Sequence, residues 1–256
     1  MGNPAKTPEE LKDVGVREHL GENLRLDEIE LLDPETRQKR PLSFWFSSGK
    51  PVLLNLVYFE CPMLCTMVLN GVNEGMKKLG WSVGDQFNVV TVSINPKDSP
   101  EMAAAKKQNY LKDYLKAPHD PGRAHQGWSF LTAEEAMIKK LAAGLGFEYK
   151  YDEVSKEFAH PAVTFILTPE GKISRYLYGI TYDPKNLKLA LLEASQGRIG
   201  TVFDRLLLFC YHYEPLSRGY SLQAMKVMQL GAMGMVAFLG GYLLVFWSRQ
   251  RKGNVK

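Results

Sequence analysis

Val52-Leu-Leu-Asn-Leu-Val-Tyr-Phe59, followed at once by Glu60-Cys61-Pro62-Met63-Leu64-Cys65, is the stretch on which the fold turns. Seven of the first eight residues are apolar, as expected of a central strand covered on both faces rather than one with a wet side. Pro62 suits the first position of a helix, and Met63, Met67, Leu69, Val72, Met76 and Leu79 recur at roughly helical spacing until Gly80 ends the pattern. The unit reads as strand, cysteine turn, helix.

The same alternation continues downstream. Phe87 to Ile94 is a second buried strand, and Ser99 is placed to cap a helix that opens at Pro100 and runs through Tyr110 to Leu115. A loop is expected from Lys116 to Gly127. Trp128 to Leu131 then reads as a short strand, and Thr132 as the cap of a helix reaching Ala143, with Glu134 and Glu135 in its first turn and Gly144 and Gly146 stopping it. Val163 to Leu167 and Ile173 to Tyr178 flank the turn Pro169 to Lys172 as a hairpin, and Asn186 to Ala194 gives a closing amphipathic helix. Upstream, Leu24, Leu26, Ile29, Leu31 and Leu32 suit an edge hairpin around Asp33-Pro34. The expected class is α/β, a mixed sheet flanked by helices.

At 256 residues the chain holds one α/β domain with appendages. Its net charge of +4 is spread along the chain, too diffuse to argue for nucleic acid. Val227 to Trp247 carries no charge and as a helix spans roughly 30 Å, so residues 224–248 are expected to cross a membrane. Gly231, Gly234, Ala237 and Gly240 fall three apart along that helix, which would let another helix approach. Arg249, Arg251 and Lys252 follow Trp247, and the positive-inside rule puts them in the cytoplasm. The expected organisation is therefore an N-terminal extension (1–41), a globular domain (42–199), a juxtamembrane linker (200–223), one transmembrane helix (224–248) and a cytoplasmic tail (249–256). The globular domain would lie on the periplasmic side of the cell inner membrane. Such a domain needs an export signal, which the polar stretch Met1 to Glu10 does not supply, so an original leader is expected to be missing.

Three cysteines are too few for a disulfide scaffold, so the pair Cys61 and Cys65 and the lone Cys210 need separate explanations. Cys61 and Cys65 sit where a central strand hands over to its helix, the end of an open α/β sheet at which ligands bind. Residues i and i+4 share a helix face, so the two sulfurs can meet one metal atom or close into a disulfide; filling core volume is the plain alternative. Unpaired N–H groups at a helix start favour thiolate, and the neighbouring Glu60 opposes it. Cys210 and His212 suit a buried thiol beside interfacial aromatics better than a second metal or redox position. His119 and His125 are expected to be solvated in a polar loop, and His19 carries no functional signal.

Tyr58-Phe-Glu-Cys61-Pro-Met-Leu-Cys65, Ser93-Ile-Asn-Pro-Lys-Asp-Ser-Pro100 and Phe158-Ala-His160 resemble, in this order and over roughly residues 45 to 195, the Sco/SenC proteins. The resemblance implies a thioredoxin-like fold and copper held by the two cysteines and a distant histidine, here Cys61, Cys65 and His160. It also implies a part in assembling the dinuclear copper centre of cytochrome c oxidase. Thr66 stands where many members have proline, Ala159 where they have an acidic residue, and Asn95 where they have aspartate. Those departures touch the surroundings of the site rather than its three ligands. Two thiolates and an imidazole make a soft site for Cu(I), and for Cu(II) where a redox change accompanies delivery. Zinc would want a fourth ligand that the sequence does not offer.

The expected partners are the copper-site subunit of the oxidase, a copper donor protein and the membrane. The principal alternative is a thiol-disulfide reductase that keeps the oxidase's copper-site cysteines reduced, with Cys61 and Cys65 as its redox pair. A peroxidase or redox sensor of related fold is a third reading, for which the sequence shows no peroxide-activating arrangement near Cys61.

Overall fold

The computed structural model describes residues 14–60, 64–199, 211–214, 219–222 and 239; for 64–65, 211–214 and 219–222 the description is of the backbone. In chain order the elements are β1 (Gly15–Val16), β2 (Glu30–Leu32), β3 (Lys39–Pro41), β4 (Val52–Val57), α1 (Leu64–Lys77), β5 (Asn88–Ser93), α2 (Pro100–Tyr114), α3 (Pro121–Gly127), β6 (Trp128–Leu131) and α4 (Glu135–Gly144). They continue with β7 (Phe147–Glu148), β8 (Lys150–Asp152), β9 (Glu157–Ala159), β10 (Val163–Leu167), β11 (Ile173–Tyr178), α5 (Pro184–Ser195), β12 (Tyr211–Glu214) and β13 (Gly219–Leu222). The chain divides into two compact units, Met1–Gly200 and Thr201–Lys256.

The first unit is built on a five-stranded mixed sheet in the order β11-β10-β4-β5-β6. β4, β5 and β6 run parallel, and β10 runs antiparallel to both β4 and β11. Every residue of β4 is buried, as its unbroken apolar run requires. The sheet face carrying Asn55, Thr91 and Phe130 meets α2, where Tyr110 stacks on Phe130 with ring centroids 5.8 Å apart. The opposite face carries Phe165, which meets Phe147 of β7 edge to face at 6.1 Å. This is a thioredoxin-like mixed sheet with its core on both sides.

Helix α1 lies unusually close to the loop after β11. A Cβ on Gly71 would fall 2.0 Å from the Ile180 carbonyl oxygen, whereas one on Gly75, a turn later, would sit 3.2 Å from the Tyr182 carbonyl oxygen. Glycine at 71 is what permits the approach. Ser99 caps α2 as expected, its side chain accepting from the Met102 amide. The β2–β3 hairpin around Asp33-Pro34 also forms, and Leu31 and Ile29 sink into the main core.

Three expectations are corrected. The segment read as a loop from Lys116 to Gly127 contains α3, started by Asp120, whose carboxylate accepts from the Arg123 amide, and by Pro121 at the first helical position. Thr132 does not cap α4. It is buried and exchanges backbone hydrogen bonds with Leu32, so the helix begins at Glu135 behind Glu134, without a side-chain cap. His119 is not simply solvated, because its ring stacks on Tyr114 at 4.2 Å and its Nδ1 lies 3.0 Å from Ser82 Oγ. His125 is exposed and pairs with Glu35 at 3.2 Å.

In the second unit β12 and β13 pair antiparallel, with His212 opposite Ser221. Cys210 and the stretch 224–248, apart from Leu239, lie outside the described residues. Among the described residues no helix is long and apolar enough to cross a membrane.

Candidate metal centre

The C-terminal end of β4 is where the chemistry expected of this chain would gather. Ile94 donates its amide to the Val57 carbonyl at 2.7 Å, continuing the parallel ladder one step past β5. The alternation of such a ladder calls next for the Phe59 amide on the Ile94 carbonyl. Phe59 instead donates to Asp98 Oδ2 at 2.6 Å. The two strands part at this point, and a side chain takes the place of the missing neighbour.

Asp98 is itself only 5% exposed. Its Oδ2 also accepts from Ser93 Oγ at 2.6 Å and its Oδ1 from Asn95 Nδ2 at 3.0 Å. The turn Asn95-Pro96-Lys97-Asp98 is closed by the Asp98 amide donating to the Asn95 carbonyl at 3.1 Å. One buried carboxylate thus joins the end of β5 to the last residues of the strand that leads to Cys61.

His160 arrives at the same end of the sheet from far along the chain. It follows the β8–β9 hairpin, in which Lys150 pairs with Ala159 and Asp152 with Glu157, and it precedes β10. β10 pairs with β4 with Thr164 opposite Asn55. That pairing ends at Thr164, four residues after His160, so the ring contacts are what locate the histidine. His160 meets Tyr58 edge to face with centroids 6.2 Å apart and lies 6.0 Å from Phe147, and Phe158 of the hairpin packs on Tyr58 at 5.5 Å, so the imidazole stands beside the last residues of the strand that leads to Cys61.

The imidazole is 7% exposed, and burial holds its pKa below the usual value, with the Pro161 carbonyl pulling weakly the other way. A histidine kept neutral is the form that ligates metals. Its Nδ1 lies 3.0 Å from the Pro161 carbonyl oxygen, which can only accept. Nδ1 therefore carries the proton, and Nε2 presents the lone pair. A ligating histidine is commonly held in one tautomer by such a bond from its other nitrogen.

Of the three residues singled out as ligands, His160 is fully described, Cys65 is described by its backbone in the first turn of α1, and Cys61 lies outside the described residues. Among the described residues no three His, Cys, Asp or Glu side chains converge as a metal site. Glu60, the carboxylate feared for its effect on Cys61, is exposed. The sequence reading passed over the β8–β9 hairpin and the Asp98 carboxylate. The alternation Phe147, Tyr149, Tyr151 carried a strand signal for the first, whereas nothing local marks Asp98 as a bond to residue 59.

The family described as SCO1/SenC matches residues 39–193 of the chain. No curated protein matches significantly. Among solved structures, a proposed electron transfer protein from Aquifex aeolicus VF5 is 26% identical, with a TM-score of 0.59, over 70% of this chain and 95% of its own. A SCO1/SenC family lipoprotein from Bacillus anthracis str. Ames is 16% identical, with a TM-score of 0.54, over 71% of this chain and 99% of its own. ScoI of Arabidopsis thaliana with copper bound is 18% identical, with a TM-score of 0.50, over 70% of this chain and 99% of its own. The last two likenesses are of fold.

Proposed function

Because the chain belongs to the SCO1/SenC family, we propose that it is a copper metallochaperone, with Cys61, Cys65 and His160 as ligands and copper as cargo. It would accept the ion from a donor protein and pass it by ligand exchange to the subunit of a respiratory cytochrome c oxidase that holds the dinuclear copper site. Residues 224–248 would anchor it in the inner membrane, with the globular domain on the periplasmic side. The observation that carries this reading is the neutral, tautomer-fixed His160 packed on Tyr58 at the end of the strand that leads to Cys61. Two thiolates and one imidazole suit Cu(I), and a set of only three ligands leaves the ion open to attack by an incoming donor. The copper held by the Arabidopsis relative is in keeping with that cargo.

A second reading is favoured by the description of the Aquifex relative as an electron transfer protein. In it Cys61 and Cys65 cycle between dithiol and disulfide and reduce the cysteines of the oxidase's copper site. One preparation separates the two. Copper stoichiometry and affinity are measured on the reduced full chain in detergent, for wild type and His160→Ala, beside disulfide reductase turnover. The chaperone reading expects one copper per chain and, in the variant, a loss beyond the roughly 10–100-fold typical of an outer partner of a metal ligand. Unchanged affinity in His160→Ala together with fast turnover would hand the assignment to the reductase.

A further inference from the structure

We propose that Asp98 is a positioning residue for the copper site, acting through the backbone of Phe59 to set where Cys61 stands; this rests on the metallochaperone reading above. At the end of a parallel sheet the strands separate, and an amide that loses its ladder partner in a buried place must find another acceptor. Phe59 is 2% exposed, so water is a poor substitute, and the Asp98 carboxylate meets the need at 2.6 Å. The carboxylate is aimed by the Ser93 hydroxyl and the Asn95 amide group, both fixed on the β5 side. β5 therefore sets the direction in which β4 leaves the sheet.

Only Glu60 separates Phe59 from Cys61, and the His160 ring packs on Tyr58, the residue before Phe59. The same short stretch of backbone thus leads to one thiolate and carries the ring against which the imidazole packs. Without Asp98, the strand end would be free to rotate, and both would lose their common reference. An ordinary capping residue does not do this. Ser99, next in the chain, accepts from Met102 and supports α2 alone.

The test compares Asp98→Ala, Asp98→Asn and Ser99→Ala in the full chain in detergent. Two quantities are read besides thermal stability: copper affinity of the reduced protein, and the rate at which iodoacetamide alkylates Cys61 and Cys65 without metal, located by mass spectrometry. Asp98→Ala is expected to lower copper affinity about 10–100-fold and to speed alkylation. Asp98→Asn keeps an oxygen for the Phe59 amide but turns its own amide group against Asn95 Nδ2, and is expected to fall between Asp98→Ala and wild type in both. Ser99→Ala lowers the melting temperature and leaves both unchanged.

Should Asp98→Ala fail to fold, Ser93→Ala removes one of the bonds that aim Oδ2 and is expected to give the same changes at smaller amplitude. The proposal is overturned if copper affinity merely tracks melting temperature across Asp98→Ala and Ser99→Ala, or if alkylation in Asp98→Ala equals wild type. A wild-type chain that binds no copper defeats the metallochaperone reading instead, and alkylation then decides the role of Asp98 alone.

Discussion

Replacing Gly71 by alanine asks how much of the fold depends on the close seat of α1. The new Cβ would lie 2.0 Å from the Ile180 carbonyl oxygen and 2.8 Å from its carbon, both backbone atoms that cannot swing aside. Ordinary contact needs about 3.5 Å, so α1 and the 180–182 loop must part by roughly 1.5 Å. Overpacking of this kind costs about 1–3 kcal/mol, and a backbone clash belongs at the upper end. Alanine returns about 1 kcal/mol of helix propensity, leaving a net loss of about 2 kcal/mol.

Gly75→Ala gains the same propensity on the same face, but its Cβ meets the nearest atoms at 3.2–3.4 Å, which a shift of a few tenths of an ångström relieves. It is expected within about 1 kcal/mol of wild type. Urea unfolding followed by circular dichroism reads the difference as a change in midpoint at constant slope. Equal midpoints for Gly71→Ala and Gly75→Ala would refute the packing argument, since propensity cannot separate them.

Two further outcomes follow from buried polar groups. The Thr164 hydroxyl, fully buried, sits 2.9 Å from Asn55 Oδ1 and 3.0 Å from the Tyr182 hydroxyl, so Thr164→Val should cost about 1–3 kcal/mol by stranding the Asn55 carbonyl; a neutral result in urea unfolding would show that the cluster rearranges. Burial holds His119 below its usual value of 6.5, against a weaker opposing pull from the Lys77 carbonyl, so the unfolded chain takes up the proton first as pH falls. That contribution to stability is whole above pH 6.5 and is lost below it. His119→Phe, which keeps the stack on Tyr114, should fall less in stability than wild type between about pH 7.5 and pH 5.5; parallel pH profiles would contradict the assignment.

Much of this arrangement is written in local pattern. The apolar run at 52–59 and the Ser99-Pro100 start of α2 specify their elements because burial on two faces and capping are local requirements. Local reading failed where a residue's partner lies elsewhere. Thr132 has the chemistry of a cap, yet its backbone is claimed by Leu32 a hundred residues earlier, so α4 starts later. The stretch Lys116 to Gly127 reads as a loop, although Asp120 before a proline is also a helix start, and α3 takes that option. His160 is the clearest case. Resemblance alone singled it out, because only the fold brings it against Tyr58, about a hundred residues earlier in the chain. The exposure of Glu60 and the Asp98 bond to Phe59 likewise depend on how distant strands part.

The account stands on one copper ion shared by Cys61, Cys65 and His160. X-ray absorption at the copper edge of the copper-loaded full chain reads that set directly, by counting sulfur and imidazole scatterers. Two sulfurs with one imidazole, the imidazole lost in His160→Ala while both sulfurs stay, is the predicted result. A wild-type spectrum without imidazole, or one that His160→Ala leaves unchanged, would contradict it.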